Sequence, residues 1–239
     1  MAGKKLVAAT SQFLVTSCKL DGGSGFILLH NNVTVDTLHP YALRMKDLTR
    51  KRIKPEADQL LLRRIEWEAG LYIDPSTGNV VLPARMIRAA FIAGAKKLKL
   101  GSLLQGGAIV FMKDNYDLNY VPPQGTTRIN GPYTDSRYDW HQLPHTEFDR
   151  FYEYYAFSCP EKIGISTIIR TRPIFQNWSV NIDIMFDETL IGINEIQQLA
   201  YISGRQCGLG DKRKDGFGKF QAIEWATPVT YQEPRILAA

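Results

Sequence analysis

Cysteine is scarce in this 239-residue chain: Cys18, Cys159 and Cys207 stand far apart, odd in number, and no two form a Cys-x-x-Cys pair. That excludes a disulfide framework and a structural zinc site from the expectation, which is reduced thiols in a cytoplasmic protein. Long apolar runs are missing as well. None approaches the roughly 18 residues needed to cross a bilayer, so no membrane partner is expected. Lys4 and Lys5 followed by LVAATSQFLVTSC imitate a secretory leader ending at Cys18, but Thr10, Ser11 and Gln12 fall where an unbroken apolar core belongs. The segment reads instead as a first strand. Histidine occurs at only four positions, 30, 39, 141 and 145, and neither a Ser-His-Asp arrangement nor a nucleophile elbow is present.

What is present is enough to fold. Hydrophobic residues make up 44% of the chain and aromatics 11%, with no stretch of disordered composition. The length suits one domain, residues 1–239, with insertions at about 38–72 and 113–160. A net charge of +5 and a pI near 9.0 suit a polyanionic partner. Solvated surfaces and membrane-surface proteins share that balance, so it narrows little by itself.

Along the chain, residues 4–18 and 26–30 are β-rich, and 41–71 reads as helical, punctuated by Pro55. Within 44–54, Arg44, Lys46, Arg50, Lys51, Arg52 and Lys54 face Asp47 alone, a net of +5; this is a solvated helix face or a contact for nucleic acid. After Pro83, the residues Ile87, Ala90, Phe91, Gly94 and Leu98 recur at helical spacing. Residues 106–112 read as a strand, 113–160 as an irregular insertion, 162–175 and 178–186 as two antiparallel strands joined by a turn, and 188–207 as containing a helix. A last strand lies in FGKFQAIEW. The resulting βαββαβ order is the α+β, ferredoxin-like (RRM-like) pattern: an antiparallel sheet with helices on one face.

The chemically informative stretch runs from Gly204 to Phe220. It lacks the Gly-Lys-Ser/Thr ending of a Walker loop, and Arg213 stands where a dinucleotide fingerprint needs its third glycine. The expectation is a loop whose glycines, Gly208, Gly210, Gly216 and Gly218, let backbone N–H groups approach phosphates. Arg205, Lys212, Arg213, Lys214 and Lys219 against Asp211 and Asp215 give it +3, and Phe217 offers a face for base stacking. The same composition also fits a surface hairpin without a ligand.

The pattern Gly-hydrophobic-Gly, five residues with Arg or Lys among them, then Gly-hydrophobic-Gly resembles the glycine-rich loop of the RAMP superfamily of CRISPR-associated proteins. Gly208-Leu209-Gly210 and Gly216-Phe217-Gly218 fill its slots. Val81-Leu82-Pro83 through Arg88 is similar to the strand-Pro-helix segment of those proteins, although Ala84 and Arg85 stand where small Gly or Ser residues are usual. The resemblance implies binding of single-stranded RNA (or single-stranded DNA), with a backbone subunit that polymerises along a guide, and with CRISPR-type protein partners. Arg85, Arg88, Arg50 and Lys51 are further binding candidates. No cofactor is implied. A metal-independent endoribonuclease and a phage-encoded mimic or strand-coating protein are the alternatives.

For an enzyme, His30 and His39 are candidates for a general base, and Asp36 is the candidate of a target-cutting subunit. None has a recognisable partner in the sequence. Asp135, Asp139, His141 and His145 match no metal-binding spacing. A binding protein is the expectation.

Overall fold

A computed structural model describes residues 12–29, 36–129 and 149–232. The first strand, β1 (Phe13–Asp21), alternates as the sequence does, burying Leu14, Thr16, Cys18 and Leu20 on one face. It is followed by β2 (Phe26–Leu28), then the helices α1 (Pro40–Arg50) and α2 (Glu56–Ala69). Next come β3 (Val81–Pro83), α3 (Ala84–Lys97), α4 (Gly101–Gln105) and three short strands, β4 (Ile109–Phe111), β5 (Asn115–Asp117) and β6 (Asn119–Val121). The second half holds α5 (Asp149–Tyr155), β7 (Ala156–Ile163), β8 (Ser166–Asp187), α6 (Ile193–Ile202), β9 (Gln221–Ile223) and β10 (Val229–Thr230).

The spine of the molecule is β8, 22 residues long. Its C-terminal half pairs with β1 on one side (Leu14 opposite Phe186, Leu20 opposite Val180) and with β4 on the other (Val110 opposite Met185). Beyond β1 lie β9 and β10. Every pairing is antiparallel, and the lateral order β9/β10–β1–β8–β4 is that of a βαββαβ unit with α3 and α6 as its crossovers. The chain has a ferredoxin-like α+β fold. The two helices supply Ile87, Ala90 and Phe91, and Ile196, Leu199 and Ala200, to one continuous core with the inward residues of β1 and β8.

Two expectations fail. Residues 162–175 and 178–186 belong to a single strand: Asn177 takes a φ of +50° within β8, and β2 and β1 follow one another along the same edge. The reversal instead falls at Gly164, φ +61°, where β7 turns into β8. The described part of 113–160 is also not irregular. In NYDLNYV, Tyr116, Leu118 and Tyr120 are buried while Asn115, Asp117, Asn119 and Val121 are exposed, the alternation of a half-buried strand. Phe151 and Tyr155 join the core as well.

Candidate nucleic-acid interface

Helix α6 runs into a wider turn, Ser203–Cys207, closed by the Gly208 N–H donating to the Ser203 carbonyl at 2.8 Å. The chain then folds along β2. The Asp211 N–H donates to the Leu28 carbonyl and the Gly218 N–H to the Phe26 carbonyl, each at 2.8 Å, while the Leu209 N–H bonds the Gly218 carbonyl at 2.8 Å. Leu209 is fully buried and Phe220 nearly so, the latter against Trp178 with ring centres 6.3 Å apart. The loop is a built part of the fold.

This changes what its glycines do. Gly210 and Gly218 have φ of +70° and +67°, and a Cβ would stand on the Leu28 carbonyl at the first and on the Leu209 carbonyl at the second. The close approach that requires glycine is to the protein's own backbone. The N–H groups of Gly208, Leu209, Asp211 and Gly218 are engaged within the protein rather than free for phosphates. Gly216 alone of the four signature glycines is exposed, with open space where its Cβ would be.

The loop cations sort into two sets. Arg172, on β8, donates through Nε to the Asp211 carboxylate and through Nη2 to Glu161 of β7 at 2.5 Å. Burial alone would favour losing its proton, but the two carboxylates outweigh this and raise its pKa. Lys212 reaches Glu161 at 3.5 Å and Asp215 at 3.7 Å. These contacts neutralise the base of the loop. At its tip, the single 3-10 turn Arg213–Asp215 carries Arg213 and Lys214, both exposed and without an ion pair or side-chain hydrogen bond among the described residues. Phe217 lies half-buried against Phe157 of β7, ring centres 5.4 Å apart, so one face of its ring is occupied.

Beside the loop, a groove of about 360 Å³ opens between the Asp21–Gly23 turn and the strand β9. Arg205 and Lys219 line it, with Phe220 and Ile223 at its apolar wall. The Arg205 guanidinium sits over the Tyr201 ring at 5.8 Å, and the Lys219 ammonium donates to the Gln206 carbonyl at 3.1 Å.

The remaining candidates divide by location. Arg85 and Arg88 are exposed on α3, Arg85 over the Tyr72 ring at 5.7 Å; the same helix meets the turn before the loop where Gly94 lies against Ser203. Arg50 and Lys51 end α1, a helix packed on α2 through Met45, Leu48 and Ile65 in a cluster of its own. Lys51 is bound to Asp58 at 2.7 Å. His39 is the N-cap of α1: its Nδ1 accepts from the Tyr41 N–H at 3.2 Å. Burial lowers its pKa, against the charge of Asp36, which favours the neutral ring that such a cap requires. Asp36 accepts from the Leu38 N–H at 3.0 Å in a tight turn. His30, Asp135, Asp139, His141 and His145 lie outside the described residues, and among the described residues no cluster of three or more potential metal ligands occurs. Nor is any helix there long and apolar enough to cross a membrane.

The anchor formed by Glu161, Arg172 and Asp211 escapes a sequence reading because its members belong to three separate segments. One signal was present: an arginine at 172 inside the otherwise alternating β-rich run of β8.

No protein-family model matches the chain, and no curated protein matches it. Among solved structures, it is similar to a chain in a cryo-electron microscopy structure of the Type III-B Cmr-beta bound to cognate target RNA. The two align over 92% of this chain at 12% identity, with a TM-score of 0.44. The alignment covers 61% of that chain, less than two thirds of its length.

Proposed function

We propose that this protein binds single-stranded RNA along the groove beside its glycine-rich loop. The observation that carries this reading is the separation of the loop's charges. Asp211 is neutralised by Arg172 and Lys212 by Glu161, while Arg213 and Lys214 stand exposed on a tip held by four backbone hydrogen bonds. A fixed loop loses little conformational entropy when its cations meet phosphates, and each contact releases counterions. Arg205 and Lys219 on the groove wall extend the cationic path. Arg85 and Arg88 are further exposed cations on α3, the helix that meets the turn before the loop at Gly94, whereas Lys51, already paired with Asp58, adds less.

The finer reading is a subunit of a CRISPR-type ribonucleoprotein, repeated along a guide strand. It is supported by the slot-by-slot likeness of Gly208–Gly218 to the RAMP loop and by the position of that loop between α6 and β9. Single-stranded DNA shares the phosphate chemistry, so a direct comparison of the two strands belongs in the test. Fluorescence anisotropy with a labelled single-stranded RNA across a salt series should show affinity falling as salt rises, with a slope of about −0.7 per phosphate contacted. Affinity independent of salt, or no binding at low salt, would remove the proposal.

A further inference from the structure

A second groove of about 320 Å³ shares no lining residue with the first and has a lining unlike it. Its walls carry Asn115, Asp117 and Asn119 from β5 and β6, Asn181 from β8, Asp74 from the turn before β3, and Lys113. Buried Val81 and Tyr116 form its floor. The three Asn–Asp–Asn side chains follow from the alternation of NYDLNYV: with Tyr116, Leu118 and Tyr120 turned into the core, residues 115, 117 and 119 share the outward face, about 7 Å apart along the strand. Asn119 lies opposite Ser179 of β8, and Asn181 follows two residues on, on the same outward face.

Two properties decide what this groove can hold. The carboxamides of Asn115, Asn119 and Asn181 make no hydrogen bond to any of the described residues, so three donor-acceptor groups converge unused on one space. The charge is also wrong for phosphate. Lys113, the lining cation, is bound to Asp183 at 2.9 Å, while the acidic side chains of Asp74 and Asp117 line the groove with no salt bridge among the described residues. Asp74 is held ionised by hydrogen bonds from Ser76 and Thr77, which lower its pKa. An uncharged ligand rich in donors fits where an anion does not.

We propose that this groove is a base-reading subsite that takes one guanine of a bound single strand. Among the bases, guanine presents two adjacent donors on its pairing edge, N1–H and the N2 amine, and these complement the two oxygens of the Asp117 carboxylate. The flanking carboxamides of Asn115 and Asn119 can donate to guanine O6 or N7. Adenine, cytosine and uracil each offer a single donor position there and leave the carboxylate half-satisfied, an unpaired group that discriminates against them. The proposal rests on the strand-binding reading above, and it adds sequence preference to a site that otherwise recognises only charge. The same chemistry would accept free guanosine.

The test compares a uracil 12-mer with the same strand carrying one central guanine, and measures free guanosine separately by calorimetry. The parent should bind the guanine strand roughly tenfold more tightly, the scale of one good paired base contact. Asp117→Asn should remove that preference while leaving affinity for the uracil strand unchanged, with an unchanged melting temperature showing that the fold survives. Asn119→Ala serves as a second variant, reducing the preference without touching the carboxylate. Guanosine binding that is abolished by Asp117→Asn, with no RNA bound, would keep the groove as a guanine site but overturn its place on a strand. Equal affinity for both strands, with no guanosine bound, would overturn the groove, whatever the loop does.

Discussion

The Arg172 guanidinium donates to the Asp211 carboxylate from the middle of β8, and so ties the glycine-rich loop to the spine of the sheet. The side chains are 11% and 27% exposed, and the same guanidinium holds Glu161 of β7. Loop, hairpin and spine therefore form one charged junction.

Replacing Arg172 with Met takes the guanidinium away from the partly buried Asp211 and Glu161, and leaves Glu161 with the longer 3.5 Å contact to Lys212. The expected loss is about 3 kcal/mol, the lower end for breaking a buried pair, because both carboxylates keep some contact with water. Urea unfolding of the parent and Arg172→Met measures it. A loss under about 0.5 kcal/mol, the range of an ordinary surface change, would mean that the junction contributes nothing to holding the loop.

The two glycines at the ends of the Gly216-Phe217-Gly218 run should behave differently. Gly218→Ala places a Cβ on the Leu209 carbonyl at a φ of +67°, and should cost on the order of 3 kcal/mol. Gly216→Ala meets nothing, and only its φ of +96° is strained, for about 1 kcal/mol. Equal melting temperatures for the two variants would contradict the packing described here.

Stability should fall on the alkaline side. Burial, helped by the charge of Asp183, pushes the Cys18 thiol up from 9.0 to about 12. Tyr116, Tyr120 and Tyr152 are raised above 10.0, first by burial. The folded state holds these protons more tightly than the unfolded chain does. Their contribution is therefore complete below about pH 9 and declines from there towards pH 12, each group costing about 1.4 kcal/mol per pH unit within its window. Urea midpoints at pH 8, 9, 10 and 11 should show the decline, and Cys18→Ala should delay its onset to about pH 10. A flat profile to pH 11 would contradict the burial of these groups.

Much of this architecture is legible in the sequence, for identifiable reasons. The apolar positions of α3, from Ile87 to Gly94, follow helical periodicity and bury as expected, because the helix packs through one continuous stripe. β7 is hidden because Pro160 and the aromatics around it read as loop, yet a proline is tolerated in a strand that pairs on one side only among the described residues. β8 looks like two strands because Asn177 interrupts its alternation, and only its neighbours β2 and β1, aligned along one edge, make it continuous. The loop was recognisable from its glycines, but their purpose was not. Sequence shows that a close approach occurs there, not whose backbone approaches, and at Gly210 and Gly218 it is the protein's own.

The most direct test of the central claim is the affinity of the double variant Arg213→Ala with Lys214→Ala for single-stranded RNA at low salt, beside the parent. Both residues are exposed and unpaired among the described residues, so the melting temperature should not move. The account predicts affinity reduced about tenfold or more, with a salt slope shallower by about 1.4 for two lost phosphate contacts. A variant that binds as tightly as the parent, with an unchanged slope, would show that the loop serves only the fold.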